Sequence, residues 1–227
     1  MQTLHTANII IHVFFGTIGL LIGLVALFYQ NRPQQHIRYG RYFMYSLSIV
    51  VVSAFVGILF FRSNPFLLIL TVLAGYVGYS GYRAVRLRDR QTSTFDVLLA
   101  ISVVVVGGLY LRSMQVAGGN WSPAVVYPTL SALVLVAGYD LVKHFWLFTR
   151  LRTWWLYEHI YKMMSAYSAL ASAFAGTVFP QYKPYSQILP SAVGLSIIAY
   201  FIWKRVRERK KPAISVSNKT IEYVRQV

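Results

Sequence analysis

The chain has 227 residues, 56% of them hydrophobic and only 12% charged, a balance far from the one-quarter charged residues of ordinary soluble domains. A soluble fold of this length would lack the polar surface to cover its core, whereas apolar side chains can face lipid in a bilayer. The absence of cysteine excludes disulfides, thiolate metal sites, iron–sulfur clusters and cysteine nucleophiles. The net charge of +16 lies between hydrophobic runs and in the C-terminal tail, a placement that orients a membrane protein rather than one that binds nucleic acid.

A spanning helix needs about 17–25 mostly apolar residues. In chain order the sequence predicts seven: Ile9–Tyr29, Tyr42–Phe61, Phe66–Tyr82, Phe95–Leu111, Val125–Val142, Trp154–Phe179 and Ile188–Trp203. The expected fold is therefore an all-α, seven-helix transmembrane bundle over residues 1–203, with a basic cytoplasmic tail over 204–227. The first run has neither a basic leader nor a cleavage site, so it is expected to be retained as a helix. The seventh is short and carries Pro190 near its start.

Charge predicts orientation. Arg32, Arg38 and Arg41, then Arg83, Arg86, Arg88 and Arg90, then Lys143, Arg150 and Arg152, and the tail from Lys204 fall on one side. The other side has Arg62, Arg112 and Lys183. The excess places the first group in the cytoplasm, with the N-terminus out and the C-terminus in. Tyr29, Tyr42, Phe61, Trp154, Trp155 and Trp203 mark the interfaces as aromatic anchors do. The tail is expected to meet anionic inner-leaflet lipid. The partners implied are the bilayer itself and either a second copy or a membrane complex, in a bacterial inner membrane, without nucleic acid.

Small residues predict the packing faces. His5, His12, Gly16, Gly19 and Gly23 fall on one stripe of the first helix. Gly75, Gly78 and Gly81 alternate with Tyr76, Tyr79 and Tyr82 in the third. The sixth is small on several sides through Ser165, Ala166, Ala169, Ser172 and Gly176, as suits a central helix.

Ionisable groups within a membrane are candidate functional groups. His12, pointed inward by its glycine stripe, is read as a metal or haem ligand, as a proton-transfer group, or as a neutral histidine bonded to a neighbouring helix. His36, Asp140, His144 and His159 share one predicted depth at the cytoplasmic end, together with Glu158. Asp140 and His144, four residues apart, are expected on one helix face. Imidazole and carboxylate are ligands for zinc or non-haem iron, so these four form a candidate metal site, unless Asp140 pairs with Lys143, His144 or an interfacial arginine and Glu158 with Lys162 instead. Haem is less favoured. His159 and Met163 lie on adjacent turns of one helix and cannot take opposite haem faces, and His12 and His159 lie at different depths. No phosphate loop, G-x-S-x-G elbow or H-E-x-x-H occurs, and Lys204 lies too near the interface for a retinal Schiff base.

The order of His12-x3-Gly16, His36-x3-Gly40-Arg41, Ser80-Gly81-Tyr82-Arg83-Ala84 and Glu158-His159-x3-Met163 resembles a family of uncharacterised bacterial polytopic membrane proteins grouped as a domain of unknown function. The resemblance spans His12 to Trp203. It implies the helix count and draws attention to His12, His36 and His159, and it supplies no reaction. Three readings follow: a histidine-based metal or cofactor site in the bundle, a proton-linked transporter or channel for a small solute, or a structural subunit of a membrane complex. Whether the chain is an enzyme stays open at this point.

Overall fold

The structure, a computed structural model, describes residues 2–61, 66–117 and 123–210. Among the described residues every long segment is helical and no strand occurs: α1 (Gln2–Phe28), α2 (Pro33–Phe61), α3 (Phe66–Leu87), α4 (Thr94–Ala117), α5 (Pro123–Val142), a short α6 (Phe148–Leu151), α7 (Trp155–Val178) and α8 (Tyr185–Lys210). Five helical stretches are long and apolar enough to cross a membrane: Gln2–Asn31, Pro33–Phe61, Thr94–Val116, Pro123–Val178 and Tyr185–Glu208. Pro123–Val178 holds both the fifth and the sixth expected spans, joined by one π turn (Lys143–Leu147), α6 and one 3-10 turn (Arg152–Trp154).

Several helices outrun the expected spans because apolar patterning marks only the part that suits lipid. Pro33 occupies the first position of α2, where its missing N–H and fixed φ are tolerated. The helix thus begins well before Tyr42, and His36, Arg38 and Arg41 ride on its first turns instead of in a loop. Arg83 and Arg86 likewise lie on α3, and Pro190 lies inside α8, which starts at Tyr185. Helix α4 opens with a reciprocal cap: the Ser93 N–H donates to Asp96 Oδ2 at 2.8 Å and the Asp96 N–H donates to Ser93 Oγ at 3.4 Å. Arg62, expected on the outer side, and tail residues 211–227 lie outside the described residues, while Lys204–Lys210 continue α8.

Helices α3 and α7 are central. Helix α3 packs against α2, α4, α5 and α7, and α7 packs against α1, α3 and α8. One core gathers Ile69, Tyr76 and Val77 of α3 with Val103 of α4 and Val126 and Leu133 of α5. The other gathers Phe43, Leu47 and Val50 of α2 with Ala74 of α3 and Ala166 and Leu170 of α7. The glycine stripes lie in these seams. A Cβ on Gly23 of α1 would stand 2.7 Å from the Tyr167 ring of α7, and one on Gly81 of α3 would stand 3.2 Å from the Met163 backbone nitrogen. Only glycine permits such approaches.

Candidate functional site

The close approach at Gly81 sets the first feature of the site. It leaves the Gly81 carbonyl open to α7, where His159 Nδ1 meets it at 3.0 Å. On the facing side His36, in the first turns of α2, places its Nδ1 2.9 Å from the carbonyl oxygen of Ala26, near the end of α1. A carbonyl can only accept, so Nδ1 carries the proton in both rings, and a neutral imidazole so fixed keeps the Nε2 lone pair free. Backbone tethering of one ring nitrogen is how proteins orient a histidine that ligates through the other. The two ring centres are 6.2 Å apart with planes at 86°.

Both rings line a cavity of about 660 Å³ bounded by α1, α2, the C-terminal part of α3 and α7. This lies within the range of cofactor and ligand sites, about 300–1,000 Å³. Its walls include Ala26, Phe43, Met163 and Tyr167, and its rim carries Arg41, Arg86, Arg88 and Arg90 with the carboxylate of Asp89. Among the described residues none of these four arginines is ion-paired. Arg86 Nε donates to the Tyr82 hydroxyl at 2.7 Å, and Arg88 stacks on Trp155 at 5.8 Å.

A second polar group lies on the other side of α3, at the same end of the bundle. Lys143 Nζ of α5's continuation donates to Glu158 Oε1 of α7 at 2.6 Å, and Lys162 Nζ of α7 donates to Asp140 Oδ1 of α5 at 2.5 Å. The Tyr139 hydroxyl adds a bond to Glu158 at 2.9 Å and the Tyr76 hydroxyl one to Asp140 at 2.8 Å. Arg83 of α3 grips Asp96 of α4 through two parallel bonds, 2.9 and 2.7 Å, and the Tyr79 hydroxyl joins at 2.9 Å. Three cations thus meet three carboxylates. The space left between them is small, about 30 Å³.

No family model matches the chain, nor does any curated protein or solved structure.

The residues expected to converge are therefore distributed over three places. His36 and His159 are together. Asp140 belongs to the charged cluster, where it takes Lys162 and Tyr76. His144 faces the α3–α4 connection: its Nδ1 lies 2.6 Å from Thr92 Oγ1, and its carbonyl accepts from Gln91 Nε2 at 3.2 Å. The π turn over Lys143–Leu147 explains this last placement, because an i→i+5 turn carries His144 off the face an α-helix would share with Asp140. Among the described residues no three of His, Asp or Glu come close enough to share one metal ion. His12 faces α2, with Nδ1 3.2 Å from the Val50 carbonyl oxygen and 3.0 Å from Ser53 Oγ. About 21 Å of helix rise separates it from Ala26, the residue that tethers His36. The α5–α7 carboxylates do pair with lysines, but across the helices rather than along one. The rim arginines were legible only as orienting charges, and the tyrosine bonds had no sequence signal beyond the aromatic face of α3.

Proposed function

We propose that the chain crosses a bacterial inner membrane seven times, with the N-terminus outside and the C-terminus inside, and holds a cofactor or small ligand through His36 and His159. The seven long helices among the described residues and the distribution of basic residues support the topology. The resemblance to bacterial polytopic membrane proteins supports the location. The observation that carries the ligand site is the pair of tethered imidazoles beside one cavity. A histidine that served packing alone would not need both rings fixed through Nδ1 toward shared space.

The charged cluster favours a clamp over a proton-linked transport path. Each carboxylate already holds a cation and a tyrosine hydroxyl. Charges paired this fully hold helices in register; a transport path needs a group free to change partners.

The ligand site is tested by composition. The full chain is purified beside His36→Ala and His159→Ala chains, and each is assayed for metals and for extractable organic molecules. The wild-type chain is expected to retain a component that both variants lose. Equal content in all three would overturn the site.

A further inference from the structure

We infer that the ligand held by His36 and His159 is a haem, with the two imidazoles as axial ligands and the rim arginines as partners of its propionates. The inference rests on the ligand site proposed above and adds the identity of its occupant.

The number of ligands is the first argument. An all-protein zinc or iron shell takes three or four side chains. A haem supplies four nitrogens itself and needs only the two axial positions. The described residues offer a pair of imidazoles in this cavity; the carboxylate of Asp89 sits among the rim arginines, and no three of His, Asp or Glu come close enough to share one metal ion.

Spacing is the second. Two metal–imidazole bonds of about 2 Å each, plus the half-width of each ring, put axial ring centres roughly 6 Å apart. His36 and His159 stand at 6.2 Å. They come from different helices, α2 and α7, so each can approach a plane between them from its own side. That is the arrangement His159 and Met163, one turn apart on α7, cannot supply. Both Nδ1–H groups are bonded to carbonyls, which leaves Nε2 as the nitrogen for iron on each ring.

The cavity's polarity is the third. A haem is an apolar plate with two carboxylates at one edge. The interior wall is apolar and aromatic, with Phe43, Met163 and Tyr167, while Arg41, Arg86, Arg88 and Arg90 sit at the rim. Arginine is the side chain best shaped for carboxylate, and these four have no carboxylate partner among the described residues. An anionic lipid head would also answer the arginines, but it would leave the two imidazole nitrogens unused.

The test uses the full chain in detergent, supplied with haemin. The expected result is a six-coordinate low-spin absorption spectrum that saturates at one haem per chain. His36→Gly and His159→Gly should each lose the low-spin form, and added imidazole should restore it in each, which also shows that the variants fold. His144→Ala should keep the wild-type spectrum, because His144 lies with Thr92. Absence of the low-spin form from the wild-type chain, or its persistence in both glycine variants, would overturn the haem. The same preparations are assayed for metals and lipids. If the glycine variants release some other component, the haem assignment falls and the ligand site stands. If nothing is released, both fall.

Discussion

Lys162 is 3% exposed, and its ammonium group rests 2.5 Å from Asp140. Removing one member of a buried pair strands the other, at a cost of about 3–5 kcal/mol, whereas replacing both by apolar groups of similar volume is often neutral. Lys162→Met should therefore lower the unfolding midpoint in detergent sharply, and adding Asp140→Leu should recover most of the loss. A single variant as stable as the wild type would show that the pair holds nothing. Sequence could not name this partner. It shows only neighbours along one helix, Asp140 with Lys143 and Glu158 with Lys162, at helical spacing. The crossed pairing arises because α5 and α7 run in opposite directions and present both pairs to each other. For the histidines, shared depth in the sequence reading is matched by the closeness of His36 and His159, whose ring centres are 6.2 Å apart. The separation of Asp140 and His144 from them was hidden, since shared depth carries no information about which side of α3 a residue occupies.

Helix contacts give a second contrast. A Cβ on Gly23 would press on the Tyr167 ring and on Phe43 at 3.1 Å, whereas one on Gly108 meets nothing within 4 Å. Overpacking costs about 1–3 kcal/mol, while glycine inside a helix is less favourable than alanine by about 0.5–1 kcal/mol. Gly23→Ala should thus destabilise the bundle and Gly108→Ala should leave it unchanged or slightly firmer, as measured by thermal unfolding of each variant. The reverse order would mean that α1 does not dock on α7 at this point. The glycine and alanine stripes made these seams legible, and the small-residue surface of the helix that became α7 marked its central place. Helix ends were less legible. Hydropathy falls at Arg38 and Arg41, yet the α2 backbone continues to Pro33, because a helix may extend beyond the hydrocarbon as long as its polar turns meet water or headgroups. The π turn after α5 left no mark in the pattern at all.

The charge distribution is what supports the proposed topology. With the N-terminus out, single cysteines at Lys183 and Arg112 should react with an impermeant thiol reagent on intact cells, and cysteines at Arg88 and Arg150 should not. Labelling of the second pair in place of the first would invert the topology. Six Lys or Arg fall between Lys204 and Lys211, each contributing roughly 1 kcal/mol beside an anionic surface. A peptide of the tail should accordingly bind vesicles rich in anionic lipid at low salt and release as salt rises; indifference to the lipid charge would remove the inner leaflet as its partner. In the proposed topology the proposed ligand site would open at the basic, cytoplasmic end of the bundle, with the charged cluster joining α5 and α7 on the far side of α3. The most direct measurement is a density map of the purified full chain in a lipid nanodisc. Density filling the cavity and continuous with Nε2 of both His36 and His159 is the expected result. A cavity closed by its own side chains, with the two imidazoles bonded only to the protein, would contradict it.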